Sequence, residues 1–211
     1  MAKIPNGILG GVSGKIGGVI GSSWKGINVV KTRPLSVANP KTVPQQAQRA
    51  KFTGVTKFAS EILSDFVKPY WDRFAVKASG YNDFVRENVS VFAGAELSDP
   101  SNLKISNGKM SADELTLTEI SGGDEVLDVV WAIKSQPKFK AGNDLADQIV
   151  VVAPGEVIGI GDGESVREDL AASIPLNRPV ETGEVLHCYL VNRRADGTIT
   201  SQTAYATITV T

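Results

Sequence analysis

The spacing of apolar residues changes character twice along the chain. Up to about residue 41, Gly, Ser, Asn and Pro interrupt every apolar run. The segment therefore reads as extended or irregular, because each interior glycine costs a helix about 1 kcal/mol relative to alanine. Inside it, Trp24-Lys25-Gly26-Ile27-Asn28-Val29-Val30-Lys31-Thr32-Arg33 has the aromatic and β-branched content of a hairpin or a single strand, closed by Pro34. A helical period follows. Thr42 stands as N-cap, Pro44 falls in the first turn and Gln45 sits at the capping-box spacing. Phe52, Val55, Ala59, Ile62 and Phe66 then form one stripe to about Val67. Tyr70, Phe74, Ala78, Tyr81 and Val85 predict a second helix over 69–89, with Gly80 able to divide it. Joined at Lys68-Pro69, the two predict a helical hairpin with Tyr70, Trp71, Phe74, Tyr81 and Phe84 in its core or docked on the rest of the chain.

After Gly94 the period becomes two. The predicted strands are Leu103–Ser106, Glu114–Ile120, Leu127–Ile133, Gln148–Ala153, Asp169–Pro175, Val185–Asn192 and Thr198–Val210. Ser121-Gly122-Gly123-Asp124, Ala141-Gly142-Asn143-Asp144, Gly161-Asp162-Gly163 and Ala195-Asp196-Gly197 separate them as turns. Asp-Gly between two alternating runs is a strong hairpin signal. Seven short strands with polar turns fit an immunoglobulin-like β-sandwich, with Trp131 as its core tryptophan. The expected fold is α+β: an extended Gly-rich basic arm over 1–41, a helical hairpin over 42–94 and the sandwich over 95–211.

Charge divides the chain unevenly. The first 60 residues hold nine Lys/Arg and no Asp or Glu, whereas the remaining 151 hold 13 basic and 23 acidic groups. A cationic, glycine-rich segment has no means of building its own core and must lie on something: an acidic protein surface, a second copy, or nucleic acid. Its cations are spread among Val, Ile and Trp rather than clustered, which suits docking along a protein groove or sheet edge more than phosphate binding. The candidate partner-binding residues are Gly14, Gly17 and Gly21 for close backbone approach, Trp24 as apolar anchor, and Lys15, Lys25, Lys31, Arg33 and Arg49 for acidic groups. The Gly-rich run is too short and polar to span a bilayer, and no secretory signal is recognisable.

Catalytic and cofactor motifs fail on their own chemistry. Ser13-Gly14-Lys15 lacks the upstream glycine of a phosphate loop, where Leu9 stands, and the following Ser/Thr, where Ile16 stands. Gly159-Ile160-Gly161-Asp162-Gly163-Glu164 ends in Glu where a dinucleotide loop needs its last glycine, and reads as a turn. Asp162/Glu164 and Asp144/Asp147 fill no EF-hand pattern. His187 and Cys188, adjacent on a strand, point to opposite faces and form no dyad. Cys188 alternates with Leu186 and Leu190 as a core residue. The expectation is a protein with no catalytic residues, cofactor, metal or small-molecule substrate.

Gly10-Gly11-Val12-Ser13-Gly14-Lys15-Ile16-Gly17, Gly21-Ser22-Ser23-Trp24-Lys25-Gly26, Asn39-Pro40-Lys41-Thr42 with Gln45 and Gln48-Arg49, and the ending Val185-Leu186-His187-Cys188-Tyr189-Leu190 … Ala204-Tyr205 resemble a Bacteroidota family of unknown function. The Asn-Pro-x-Thr helix start, Trp71 and Ser79-Gly80-Tyr81-Asn82-Asp83-Phe84 are also loosely similar to tailed-phage structural proteins. That likeness implies a non-enzymatic virion component, capsid-associated or head–tail, assembled in the host cytoplasm and binding other virion proteins and copies of itself. The alternatives are a DNA-binding or nucleoid-type protein using the same arm, and a cell-surface binding module.

Overall fold

The computed structural model describes residues 2–3, 13–24, 27–36, 39–76, 78–133, 145–153, 156–161, 165, 169–194 and 196–211. It has mixed α and β content, with three α-helices and several antiparallel sheets among these residues. The chain divides into two compact units, Met1–Thr42 and Val43–Thr211.

In the first unit the glycine-rich segment pairs with itself. Strands β1 (Ala2–Lys3), β2 (Gly14–Ile16), β3 (Val19–Trp24) and β4 (Ile27–Thr32) form an antiparallel sheet in the order β1-β4-β3-β2. The backbone is extended, as the residue types predict, but its hydrogen bonds are met inside the segment rather than by a partner. Residues 24–33, expected as a hairpin or a single strand, supply the end of β3 and the whole of β4, with Trp24 paired to Ile27.

The second unit begins with helix. α1 (Val43–Glu61) starts directly after Thr42, passes through a π-helical turn, Leu63–Val67, and continues as α2 (Lys68–Trp71). The Val67 amide donates to the Ile62 carbonyl at 3.1 Å, the five-residue bond of a π-turn. Lys68-Pro69 is therefore a point of continuation, not the expected hairpin joint. Reversal comes over 72–79, and α3 (Gly80–Asn88) returns to place the Phe84 ring 6.4 Å from Phe58 and 5.5 Å from Trp71. Ser79 caps α3 by accepting from the Asn82 amide. Phe74 and Ala78, expected on a helical stripe, lie in that irregular stretch. Val55, Ala59, Ile62 and Phe66 are fully buried as their spacing predicts, but Phe52 is 53% exposed and Phe58 is buried in its stead.

After a short hairpin of β5 (Phe92–Ala93) and β6 (Glu96–Leu97) come seven strands: β7 (Glu114–Leu117), β8 (Val126–Ala132), β9 (Leu145–Ala153), β10 (Glu156–Ile160), β11 (Ala171–Pro175), β12 (Val185–Arg194) and β13 (Ala204–Thr209). They form two antiparallel sheets, β11-β8-β7 and β10-β9-β12-β13. Leu103–Ser106 is not a strand. Its Leu103 and Ile105 are buried in irregular backbone, and the Ile105 and Ser106 amides donate to the Thr203 hydroxyl. The last strand begins at Ala204 rather than Thr198. β10 occupies part of the stretch read as a turn, and a Cβ on Gly159 would crowd the Leu176 side chain at 2.8 Å and the Pro175 carbonyl at 3.0 Å.

Two cores share the four-stranded sheet. On one side Ile149, Val151, Leu186, Cys188 and Leu190 meet Leu115, Leu127, Val129 and Trp131 of the three-stranded sheet. On the other, Val150, Val152, Tyr189 and Val191 meet the helices through Ile62, Phe66, Tyr70 and Trp71. The unit is thus layered as helices, sheet, sheet. The uninterrupted apolar runs Ile149–Ala153 and Cys188–Val191 are what a strand buried on both faces requires. The outer face of β7-β8-β11 has no such cover among the described residues of its unit: β8 alternates strictly between exposed and buried positions.

Candidate docking surfaces

The register of the N-terminal sheet sorts its side chains. Directly opposed residues of antiparallel strands share a face. Lys15 opposes Ile20 and Ile20 opposes Lys31, so two lysines flank one isoleucine in a single row across β2, β3 and β4. Ser22 and Val29 form the next row of that face, and Ile27 lies beyond. The other face carries Gly14, Ile16, Val19, Gly21, Val30 and Thr32 and no charge. Strand spacing puts the two lysine Cα atoms about 10 Å apart. Both lysines are exposed, Ile16 is 61% and Ile27 39% exposed, and no described side chain of the sheet is buried. Ile20, Val29 and Val30 are only half-buried, which leaves the described part of both faces short of apolar cover.

Seven of the nine candidate residues are brought into one sheet or its margins: Gly14 and Lys15 on β2, Gly17 in the following turn, Gly21 and Trp24 on β3, Lys31 on β4 and Arg33 just beyond. The Arg33 amide donates to the Gly18 carbonyl at 2.7 Å and prolongs the ladder. Gly17 has φ +58 at the first position of a two-residue turn, so its glycine serves the hairpin rather than a partner's approach. Lys25 lies outside the described residues, as do Asp144, Asp162 and Glu164. Arg49 sits on α1 in the other unit, beside the exposed Phe52 and Gln48.

Residues 11–207 match a family of unknown function, DUF6266. The chain belongs to that family. No curated protein matches it. In this DUF6266 chain the histidine and cysteine take separate environments, as strand alternation predicts. Cys188 is wholly buried between the two sheets, and burial pushes its thiol up to about 12. His187 faces the helix side with Nδ1 3.0 Å from the Tyr205 hydroxyl, and partial burial lowers its pKa. Among the described residues no group of three or more His, Cys, Asp or Glu is placed to hold a metal, and no helix is long and apolar enough to cross a membrane.

A second surface escaped the sequence reading. The outer face of the three-stranded sheet exposes Glu114 and Thr116 of β7, Val126, Asp128, Val130 and Ala132 of β8, and Ala171, Ser173 and Pro175 of β11. Val126 is 50% and Val130 44% exposed. The Ser173 hydroxyl donates to Asp128, fixing that carboxylate on the face. Between Lys109 and Lys134 the sequence has six carboxylates and no cation. That gap is legible in the sequence, although residues 61–211 as a whole carry both signs of charge.

Proposed function

We propose that this chain is a non-enzymatic structural protein of a phage virion, capsid-associated or at the head–tail junction, which docks to its partners through its N-terminal sheet. One observation carries the reading: a four-stranded sheet without a buried described side chain, cationic on one face and uncharged on the other. Such a sheet is short of burial by itself and gains it by covering another surface. The resemblance of the Asn39-Pro40-Lys41-Thr42 helix start and of Ser79-Gly80-Tyr81 to phage structural proteins supplies the virion context, with assembly in the host cytoplasm.

We also read β7–β13 as an immunoglobulin-like sandwich. Its first, second and fifth strands share one sheet, and its third, sixth and seventh share the other. This is the constant-type pattern except that the fourth strand has joined the second sheet.

Quantitative mass spectrometry of purified particles from a producing host tests the virion reading. The chain is expected at a fixed ratio to the main capsid protein. Its absence from particles that contain the other structural proteins would defeat the proposal.

A further inference from the structure

Resting on that docking role, we infer that the partner of the lysine-bearing face is the outer face of β7-β8-β11 on a second copy of this chain. The two surfaces are complementary in kind. One places Lys15 and Lys31 around Ile20, with Ile27 and Val29 alongside. The other places Asp128 between Val126 and Val130 along β8, with Glu114 opposite Ala132 on β7. Strand rise and spacing put the two carboxylate positions about 14 Å apart and the two lysine positions about 10 Å apart, a difference that flexible lysine stems span. Among the described residues no Lys or Arg lies on the acceptor face, and no Asp or Glu lies in residues 1–60, so these residues pair without like-charge conflict.

The acceptor face carries a second mark of use. Leu170, at its margin, is 43% exposed and holds φ +60, a left-handed conformation disfavoured for a side chain with a Cβ. The Trp131 amide donates to its carbonyl at 3.0 Å and keeps it there. Strained backbone persists only where the surrounding structure over-determines it, and it clusters at functional sites.

The contact joins two different surfaces, so it is head-to-tail: each copy offers one lysine face and one carboxylate face, and copies add in series or close a ring. Each face covers about 300 Å² by strand dimensions, well under the ~800 Å² per partner of a stable pair. A single contact is therefore weak, and repeated contacts in an assembly supply the strength.

Charge reversal in the full-length chain tests this. Sedimentation velocity across a concentration series is expected to show self-association of the wild type. Lys15→Glu/Lys31→Glu and Glu114→Lys/Asp128→Lys should each lower it at least about tenfold while far-UV circular dichroism stays unchanged. An equimolar mixture of the two variants should restore it, since each reversed face then meets its complement on the other chain. A monomeric wild type, variants that associate like the wild type, or a mixture that stays dissociated would each overturn the interface; the last also excludes docking within one chain. Binding of the monomeric wild type to duplex DNA, weakening steeply with salt, would overturn it in favour of phosphate recognition. The particle measurement stands apart: the chain found in virions with a failed charge swap removes this interface and leaves the virion role.

Discussion

The Gly80 amide donates to the Asp72 carboxylate at 2.8 Å and so closes the turn between α2 and α3. A Cβ on Gly80 would lie 2.4 Å from the Asp72 nitrogen, a contact that only backbone movement relieves. Gly80→Ala is expected to destabilise the fold by about 1–3 kcal/mol, the range for overpacking. Asp72→Ala should cost about 1 kcal/mol, as expected for losing a bond to a free helix-start amide. Urea unfolding followed by tryptophan fluorescence measures both, and an unchanged Gly80→Ala midpoint would refute the close approach.

The same measurement at high pH reports on the sandwich core. Burial pushes the Cys188 thiol up to about 12, and the Tyr189 hydroxyl is raised in the same direction by the same cause. Both groups are held neutral in the fold and ionise more readily in the unfolded chain. Their contribution is whole below the ordinary thiol value near 9 and is lost as pH rises toward 12, by at most about 1.4 kcal/mol per pH unit for each group. Stability is expected to fall from pH 9 to 11. Cys188→Ala should flatten that fall, whatever its separate cavity cost; an identical slope in the variant would remove Cys188 as its source.

Acid acts through a surface clasp. Arg178 bonds both oxygens of Glu184 and also Glu156. Hydrogen bonding from Arg178 holds the Glu184 carboxyl below its usual value of 4.5, so its stabilisation is present above that value and is lost as pH falls through the lowered one. A part-exposed bidentate pair contributes about 1 kcal/mol. Glu184→Gln is expected to lower stability by that amount at pH 7 and to approach the wild type progressively as pH falls below 4.5. Parallel stability curves from pH 7 to pH 3 would count against the clasp.

Two adjacent glycines in the N-terminal sheet separate conformation from space. Neither Gly17 nor Gly18 has an atom within 4 Å of an added Cβ, but Gly17 alone of the pair has positive φ. Gly17→Ala should therefore weaken the β2–β3 hairpin by about 1 kcal/mol, while Gly18→Ala leaves it unchanged. Amide exchange at Arg33, whose N–H is bonded to the Gly18 carbonyl, reads the difference. Equal acceleration by both substitutions would mean that turn conformation is not what the glycine supplies.

Much of the second unit was legible because its signals are local. Val55, Ala59, Ile62 and Phe66 reach the core at their helical spacing, and Leu127, Val129 and Trp131 do so at a spacing of two. Pro69 misled. It is the expected joint of a hairpin, yet the π-turn before it lets the helical path continue. Phe58, off the predicted stripe, is buried because α3 and the β5–β6 hairpin bring Phe84 and Phe92 against it. Of the candidate site, the sequence marked Lys15, Lys31 and the glycines; it did not mark Asp128 or Glu114 as their counterpart.

By itself, then, the sequence determined the alternation of element types, the buried Trp131 and Cys188, and a cationic, acid-free beginning. Each of these follows from neighbours a few residues apart. Only the tertiary structure decided that Lys15 and Lys31 share a face while Ile16 and Val19 share the other. That outcome depends on strand register, and a slip of one residue would exchange the faces. It also decided that helices cover the β10-β9-β12-β13 sheet and leave Val126, Asp128 and Val130 open, because which side of a sandwich is covered is settled by packing between distant segments.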